Sequence, residues 1–80
     1  MPEIPNRRLS PGDLVVLTRV PQELLRGLPM EDQRAISGIA GRPIVLSGYD
    51  TDGRAELSFT DSAGATHFIY VQPNLIRRAS

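Results

Sequence analysis

Residues 42–71 read RPIVLSGYDTDGRAELSFTDSAGATHFIYV. The stretch divides into three β-type segments, RPIVLSGY (42–49), AELSFT (55–60) and ATHFIYV (65–71). Two turns separate them, Asp50-Thr51-Asp52-Gly53 and Asp61-Ser62-Ala63-Gly64. Each turn has Asp first and Gly last. An aspartate there bonds back to turn amides, and glycine at the fourth position takes positive φ without steric cost. This is the chemistry of a type I turn closing a hairpin with a glycine bulge. Three strands in a meander within so short a chain predict a small, mainly β barrel.

The turns also predict a register. If Asp61 pairs with Ala65, Phe59 lies opposite His67, Leu57 opposite Ile69, and Ala55 opposite Val71. The core face of the last hairpin is then Ala55, Leu57, Phe59, Ile69 and Val71, with His67 at its rim. Regular alternation along 43–49 adds Val45, Ser47 and Tyr49 to that face. Ile44, Leu46, Phe68 and Tyr70 fall on the other. A half-buried sheet would carry polar residues there. That second face is therefore either covered by the segment 21–40 or exposed as a binding surface.

Working outward, Ser10-Pro11-Gly12-Asp13 is a turn that enters the β-branched run Leu14–Arg19, the first strand. Pro21 stops it, because proline cannot donate to a ladder. Residues 21–40 are helical in character. Pro21 suits a helix start, Gly27 and Pro29 interrupt the helix, Glu31 and Asp32 favour the first turn of a second one, and Gly38 caps it. Leu24, Leu25, Leu28, Met30, Ile36 and Ile39 are too many apolar residues to leave in water. They predict a cover over one face or one open end of the barrel. Pro73-Asn74-Leu75 reads as a single 3₁₀ turn, and Ile76-Arg77-Arg78 as a short last strand beside the first. Residues 1–9 carry two prolines and read as a flexible arm; residues 10–80 form one domain.

The order is strand, helical excursion over about 21–40, three-strand meander, 3₁₀ turn, short strand. It resembles the SH3-like five-stranded barrel across about residues 12–78. The resemblance is carried by Gly12-Asp13-Leu14-Val15-Val16-Leu17, Gly41-Arg42-Pro43-Ile44-Val45, the two glycine turns and Pro73-Asn74-Leu75-Ile76. The chain is also similar to small uncharacterised bacterial proteins of that fold, which open with a Gly-Asp-hydrophobic strand and end near Pro-x-x-Ile. It departs from signalling SH3 domains. There is no tryptophan, and residues 20–40 hold no aromatic side chain. A polyproline groove needs aromatic ridges, so the resemblance brings no ligand-binding residue with it.

Composition narrows the function. The chain has 80 residues and no cysteine, which excludes disulfides, thiolate zinc sites and iron–sulfur ligation. A chain of this size buries only about 60% of its unfolded surface, so the core must be dense or lean on a partner. All nine basic residues are arginine and the formal net charge is zero, so no strong field draws nucleic acid or an anionic membrane. The apolar run Leu14–Leu17 is far too short to span a bilayer, and no signal sequence is apparent. A cytoplasmic location is expected.

Chemistry-bearing residues are few. His67 is the single histidine. A triad would require Ser58, Ser62 or Thr66 as nucleophile and Asp61 as carboxylate, and neighbouring turn residues rarely converge on one point. A hydrogen-bonded rim histidine is the simpler expectation. Asp50-Thr51-Asp52-Gly53 faintly resembles the start of a calcium loop. It lacks the later bidentate glutamate and is flanked by strands, so turn aspartates are expected and no metal or other cofactor.

The expected function is therefore a non-catalytic protein–protein interaction module or a small accessory protein. Its surface would comprise Phe68, Tyr70, Ile44 and Leu46, with Leu24, Leu25 and Leu28 beside them. Its partner would be another protein or a second copy. The alternative is a nucleic-acid-binding barrel. Arg7, Arg8, Arg77 and Arg78 would then share one side near the joined termini, with Phe68 or Tyr70 close enough to stack on bases.

Overall fold

In the computed structural model, residues 9–79 are described. Five antiparallel strands form one sheet: β1 (Leu14–Leu17), β2 (Pro43–Tyr49), β3 (Ala55–Thr60), β4 (Thr66–Val71) and β5 (Ile76–Arg78). Between β1 and β2 lie two helices, α1 (Gln22–Leu25) and α2 (Met30–Ser37), and a 3₁₀ turn over Pro73–Leu75 precedes β5. The strand order is β4-β3-β2-β1-β5.

Both hairpins close as their aspartates predict. Asp50 Oδ1 accepts the amides of Asp52 and Arg54 at 2.9 and 2.8 Å. Asp61 Oδ1 accepts those of Ala63 and Ala65, both at 2.9 Å. Gly53 and Gly64 hold φ of 83° and 89°. These are left-handed conformations that a side chain would strain. The register of the last hairpin follows: Phe59 pairs with His67, Leu57 with Ile69, and Ala55 with Val71.

β2 departs from simple alternation. Leu46 pairs with Leu57, but Gly48 pairs with Glu56, so β2 advances two residues where β3 advances one. Ser47 is the extra residue of a β-bulge. A one-residue insertion inverts the facing of everything before it. Tyr49 therefore keeps its expected side opposite Ala55, while Ile44 and Leu46 turn into the core and Val45 turns out. The expectation that Ile44 and Leu46 belong to an exposed face is corrected on this ground.

The core face is Val15, Leu17, Ile44, Leu46, Ala55, Leu57, Phe59, Ile69 and Val71, and Ile36 and Ile39 complete it from the helical side. Helices this short have no stability of their own, so this contact fixes them. Pro29 precedes α2, Glu31 and Asp32 occupy its first turn, and Gly38 closes it by donating to the Arg34 carbonyl at 3.0 Å. Leu24, Leu25 and Leu28 pack partly buried against the core. Met30 does not join them and is 62% exposed. It lies about 120° round the helix from Ile36, which faces inward.

β5 lies beside β1, with Leu17 opposite Ile76 and Val15 opposite Arg78. The 3₁₀ turn is tied to β1 through Thr18, whose amide and hydroxyl both donate to the Leu75 carbonyl, at 2.8 and 2.9 Å. The expected closure into a barrel is not found. β4 and β5 are the two ends of the sheet, and among the described residues no ladder joins them. Curling strands onto themselves is one way to seal a sheet's apolar face; packing helices on it is another. Here α2 and the following turn seal it, and a three-residue β5 leaves little strand to close with.

Candidate interaction surface

Strand alternation places Leu14, Val45, Ser58 and Phe68 in one cross-strand row on the outer face, through the pairs Leu14–Val45, Val45–Ser58 and Ser58–Phe68. Leu14 is 53% exposed, Val45 40% and Phe68 58%. Tyr70, 41% exposed, stands in the next row opposite Glu56. The Arg54 guanidinium lies over its ring, 5.6 Å from the centroid.

β4 is also an open edge. Antiparallel pairs alternate between those that exchange two backbone bonds and those that exchange none. The Asp61 amide donates to the Ala65 carbonyl at 2.9 Å, which sets the phase. His67, Ile69 and Val71 therefore bond inward to β3. Thr66, Phe68 and Tyr70 direct their amides and carbonyls away from the sheet. A groove of about 330 Å³ runs along this edge, lined by Leu24, Leu28, Asp32, Arg54, Phe68 and Tyr70 among others. A larger hollow of about 510 Å³ lies between α2 and the Asp61 turn. Its apolar floor, Ile39 and Phe59, is already part of the core.

Of the residues expected at the surface, Phe68, Tyr70, Leu24 and Leu28 come together on this groove. Leu25 faces a separate shallow hollow with Gln22, Arg26 and Gln33. Leu14 and Val45 are exposed apolar residues that alternation from the turns missed. The signal was Ser47-Gly48, a pair unlike its β-branched and aliphatic neighbours and suited to a bulge.

Of the four arginines of the alternative surface, Arg77 and Arg78 are among the described residues. Arg7 and Arg8 lie outside the described residues. Arg77 pairs with Val16 and Arg78 with Val15, so the two point to opposite faces, and Arg78 lies 3.6 Å from the Asp13 carboxylate. β5 and β4 are at opposite ends of the sheet. Neither Arg77 nor Arg78 lines the groove that Phe68 and Tyr70 border.

His67 is hydrogen-bonded at the rim, as expected, and its partner is Asp61. His67 Nε2 lies 2.7 Å from Asp61 Oδ2, and the imidazole stacks on Phe59 with ring centroids 5.1 Å apart. The same turn geometry that aims Asp61 Oδ1 at two amides leaves Oδ2 facing back along β4. Of the three hydroxyls weighed as nucleophiles, Ser62 is an exposed residue of the Asp61 turn itself. Ser58 and Thr66 are on the opposite face of the sheet, bonded to Ser47 at 3.0 Å and near Thr60 at 3.4 Å. The Asp61 carboxyl is held below its ordinary value, foremost by the hydrogen bond with His67 and then by the Ala65 amide. For Asp50, burial pushes upward, but the Arg54 amide and guanidinium and the Asp52 amide outweigh it, and the net shift is downward. Arg54 Nε lies 2.8 Å from Asp50 Oδ2.

Among the described residues, no group of three or more His, Asp or Glu side chains is placed to hold a metal ion. None of the helices described is long and apolar enough to cross a membrane. No protein-family model matches the chain. No curated protein matches it, and no solved structure does.

Proposed function

We propose that this protein is a non-catalytic binding module that engages a protein partner through β4 and the outer face of the sheet. One observation carries the reading: Phe68 and Tyr70 are exposed on a six-residue edge strand whose outward amides and carbonyls face a groove. Aromatic side chains concentrate binding energy, and an open edge adds main-chain hydrogen bonds to any extended segment laid against it. His67 supports the same reading. Its carboxylate partner is engaged in the turn, where it also accepts the amides of Ala63 and Ala65, which favours a structural role over catalysis. The order β4-β3-β2-β1-β5, a bulge in β2 and a 3₁₀ turn before the last strand agree with an SH3-like topology. We read the fold as an open version of it. A cysteine-free chain suits a reducing compartment, and we assign the module to the cytoplasm.

A tagged pull-down from native lysate, split into nuclease-treated and untreated halves, tests the reading. A protein that survives nuclease and moderate salt, and is released by Phe68→Ala with Tyr70→Ala, is the expected result. Retention of nucleic acid alone, lost with Arg77→Ala and Arg78→Ala, overturns it. Phosphate contacts would also show the steep salt dependence of about 0.9 log unit per log unit of salt for each duplex phosphate neutralised.

A further inference from the structure

We propose that β4 pairs with β4 of a second copy, antiparallel, about a two-fold axis through Phe68. The inference rests on the reading of β4 as the binding edge and names what occupies it.

The two edges of the sheet are built differently. β5 is three residues long, carries two arginines and is anchored to Asp13. Short length and charge are the usual protections of an edge. β4 has neither. Its six residues, Thr66–Val71, contain no proline, no acid and no arginine, and its register with β3 runs unbroken. A long, regular, apolar edge recruits another strand.

The outward groups of β4 match their own two-fold image. Phe68 would exchange two backbone bonds with Phe68 of the second copy, and Tyr70 would do the same with Thr66 on either side, giving about six bonds in all. The side chains match as well. Phe68 meets Phe68, and each Tyr70 meets a β-branched threonine, both favourable cross-strand pairs. The row Leu14–Val45–Ser58–Phe68, apolar except at Ser58, then continues across the axis into its own image. On the other face, Leu24 and Leu28, partly buried at the groove, meet their counterparts and close it.

Charge does not drive the pairing. Arg54 flanks the groove at its Tyr70 end. Asp32 flanks it from α2, beside Glu31, which lines the hollow at the Asp61 turn. Arg54 is already held by Asp50 at 2.8 Å and lies 3.8 Å from Asp52, so the pairing draws on the backbone bonds and apolar matches rather than on an ion pair between copies. With a formal net charge of zero, two copies do not repel each other at long range.

Sedimentation equilibrium of the full chain between about 1 μM and about 1 mM, the range of weak to moderate interfaces, reads the association. A monomer–dimer equilibrium is expected. Phe68→Lys, which places a charge on the axis, should raise the dissociation constant at least about tenfold. The register has its own test, because the native chain has no cysteine. In a hydrogen-bonded antiparallel pair the Cα atoms lie about 5.5 Å apart, within disulfide range. Phe68→Cys should therefore cross-link to itself, and Thr66→Cys should cross-link to Tyr70→Cys in a mixture but not to itself. A chain that stays monomeric throughout overturns the inference, as does a dimer in which Phe68→Cys fails to cross-link. A monomer that still captures a protein released by Phe68→Ala overturns the second copy alone and leaves the binding module, its edge then taken by a segment of that protein. A monomer that captures nothing overturns both.

Discussion

Asp61 Oδ2 lies 2.7 Å from His67 Nε2, across the turn that Asp61 itself closes. Asp50 does the same in the preceding hairpin, with Arg54 Nε in place of the imidazole at 2.8 Å. In both turns one carboxylate oxygen organises the backbone and the other holds a basic side chain. The hairpins that define the sheet are thus tied to two ionised carboxylates.

A pH dependence follows, with a definite sign. Both carboxyl groups titrate lower in the folded chain than ordinarily: Asp61 foremost through His67, Asp50 because its hydrogen bonds to Arg54 and Asp52 outweigh an opposing effect of burial. A depressed folded value means that the stabilisation is fully present above the unfolded value of about 3.9 and is lost as pH falls through the folded one. Urea midpoints should hold steady down to about pH 5 and fall below about pH 4. Asp50→Asn with Asp61→Asn should lower the midpoint near neutrality and flatten the acid limb. An acid limb as steep as that of the native chain would show that these turns are not its source.

Glycine substitutions should separate by backbone conformation. Gly53 and Gly64 sit at φ of 83° and 89°, and a Cβ added there meets nothing within 4 Å, so any cost of alanine is torsional. Gly53→Ala or Gly64→Ala should destabilise by about 1–2 kcal/mol. Gly48 also has open space around its Cβ direction, but its φ is not positive. Gly48→Ala should be neutral or stabilising by up to about 1 kcal/mol, through a less free unfolded chain. Thermal unfolding of the three variants checks the contrast. A destabilised Gly48→Ala would place the bulge under a constraint that these dihedrals do not carry.

The bulge marks where the sequence stops being legible. From the Asp50 and Asp61 turns, the pairing of β3 with β4 follows residue by residue, as does the place of Tyr49. Ile44, Leu46 and Val45 do not follow, because 44–46 is aliphatic at every position and so fits either phase, leaving only the Ser47-Gly48 pair to mark the bulge. The candidate surface divides in the same way. Phe68 and Tyr70 belong to the hairpin whose phase is set by its turn, and they are where that phase puts them. Closure of the barrel was illegible for a different reason. It depends on whether helices or strands seal the core face, and helix-forming residues at 21–40 are compatible with either. Substitution tests the corrected phase. Leu46→Ala should cost about 2–5 kcal/mol, as for a fully buried leucine. Val45→Ala, on the outer face, should cost less than about 1 kcal/mol. Equal costs in urea unfolding would contradict the bulge.

The last prediction separates binding from folding. Phe59 and Phe68 are nine residues apart on neighbouring strands and face opposite sides of the sheet. Phe59 is 8% exposed and stacks on His67, whereas Phe68 is 58% exposed. Phe59→Ala removes a buried ring and should cost about 3–5 kcal/mol. A domain of this size has a total stability on the order of 4–12 kcal/mol, so that loss brings it close to unfolding. Phe68→Ala removes a ring that the monomer barely uses and should cost less than about 1 kcal/mol. If β4 is the binding edge, the less damaging substitution abolishes association, while any residual folded Phe59→Ala chain retains it. Amide chemical shifts of β3 in Phe68→Ala should match those of the monomeric native chain, and association should be lost in the same sample. A Phe68→Ala chain that unfolds would place this ring among the side chains that hold the sheet together, and the surface built around it would lose its basis.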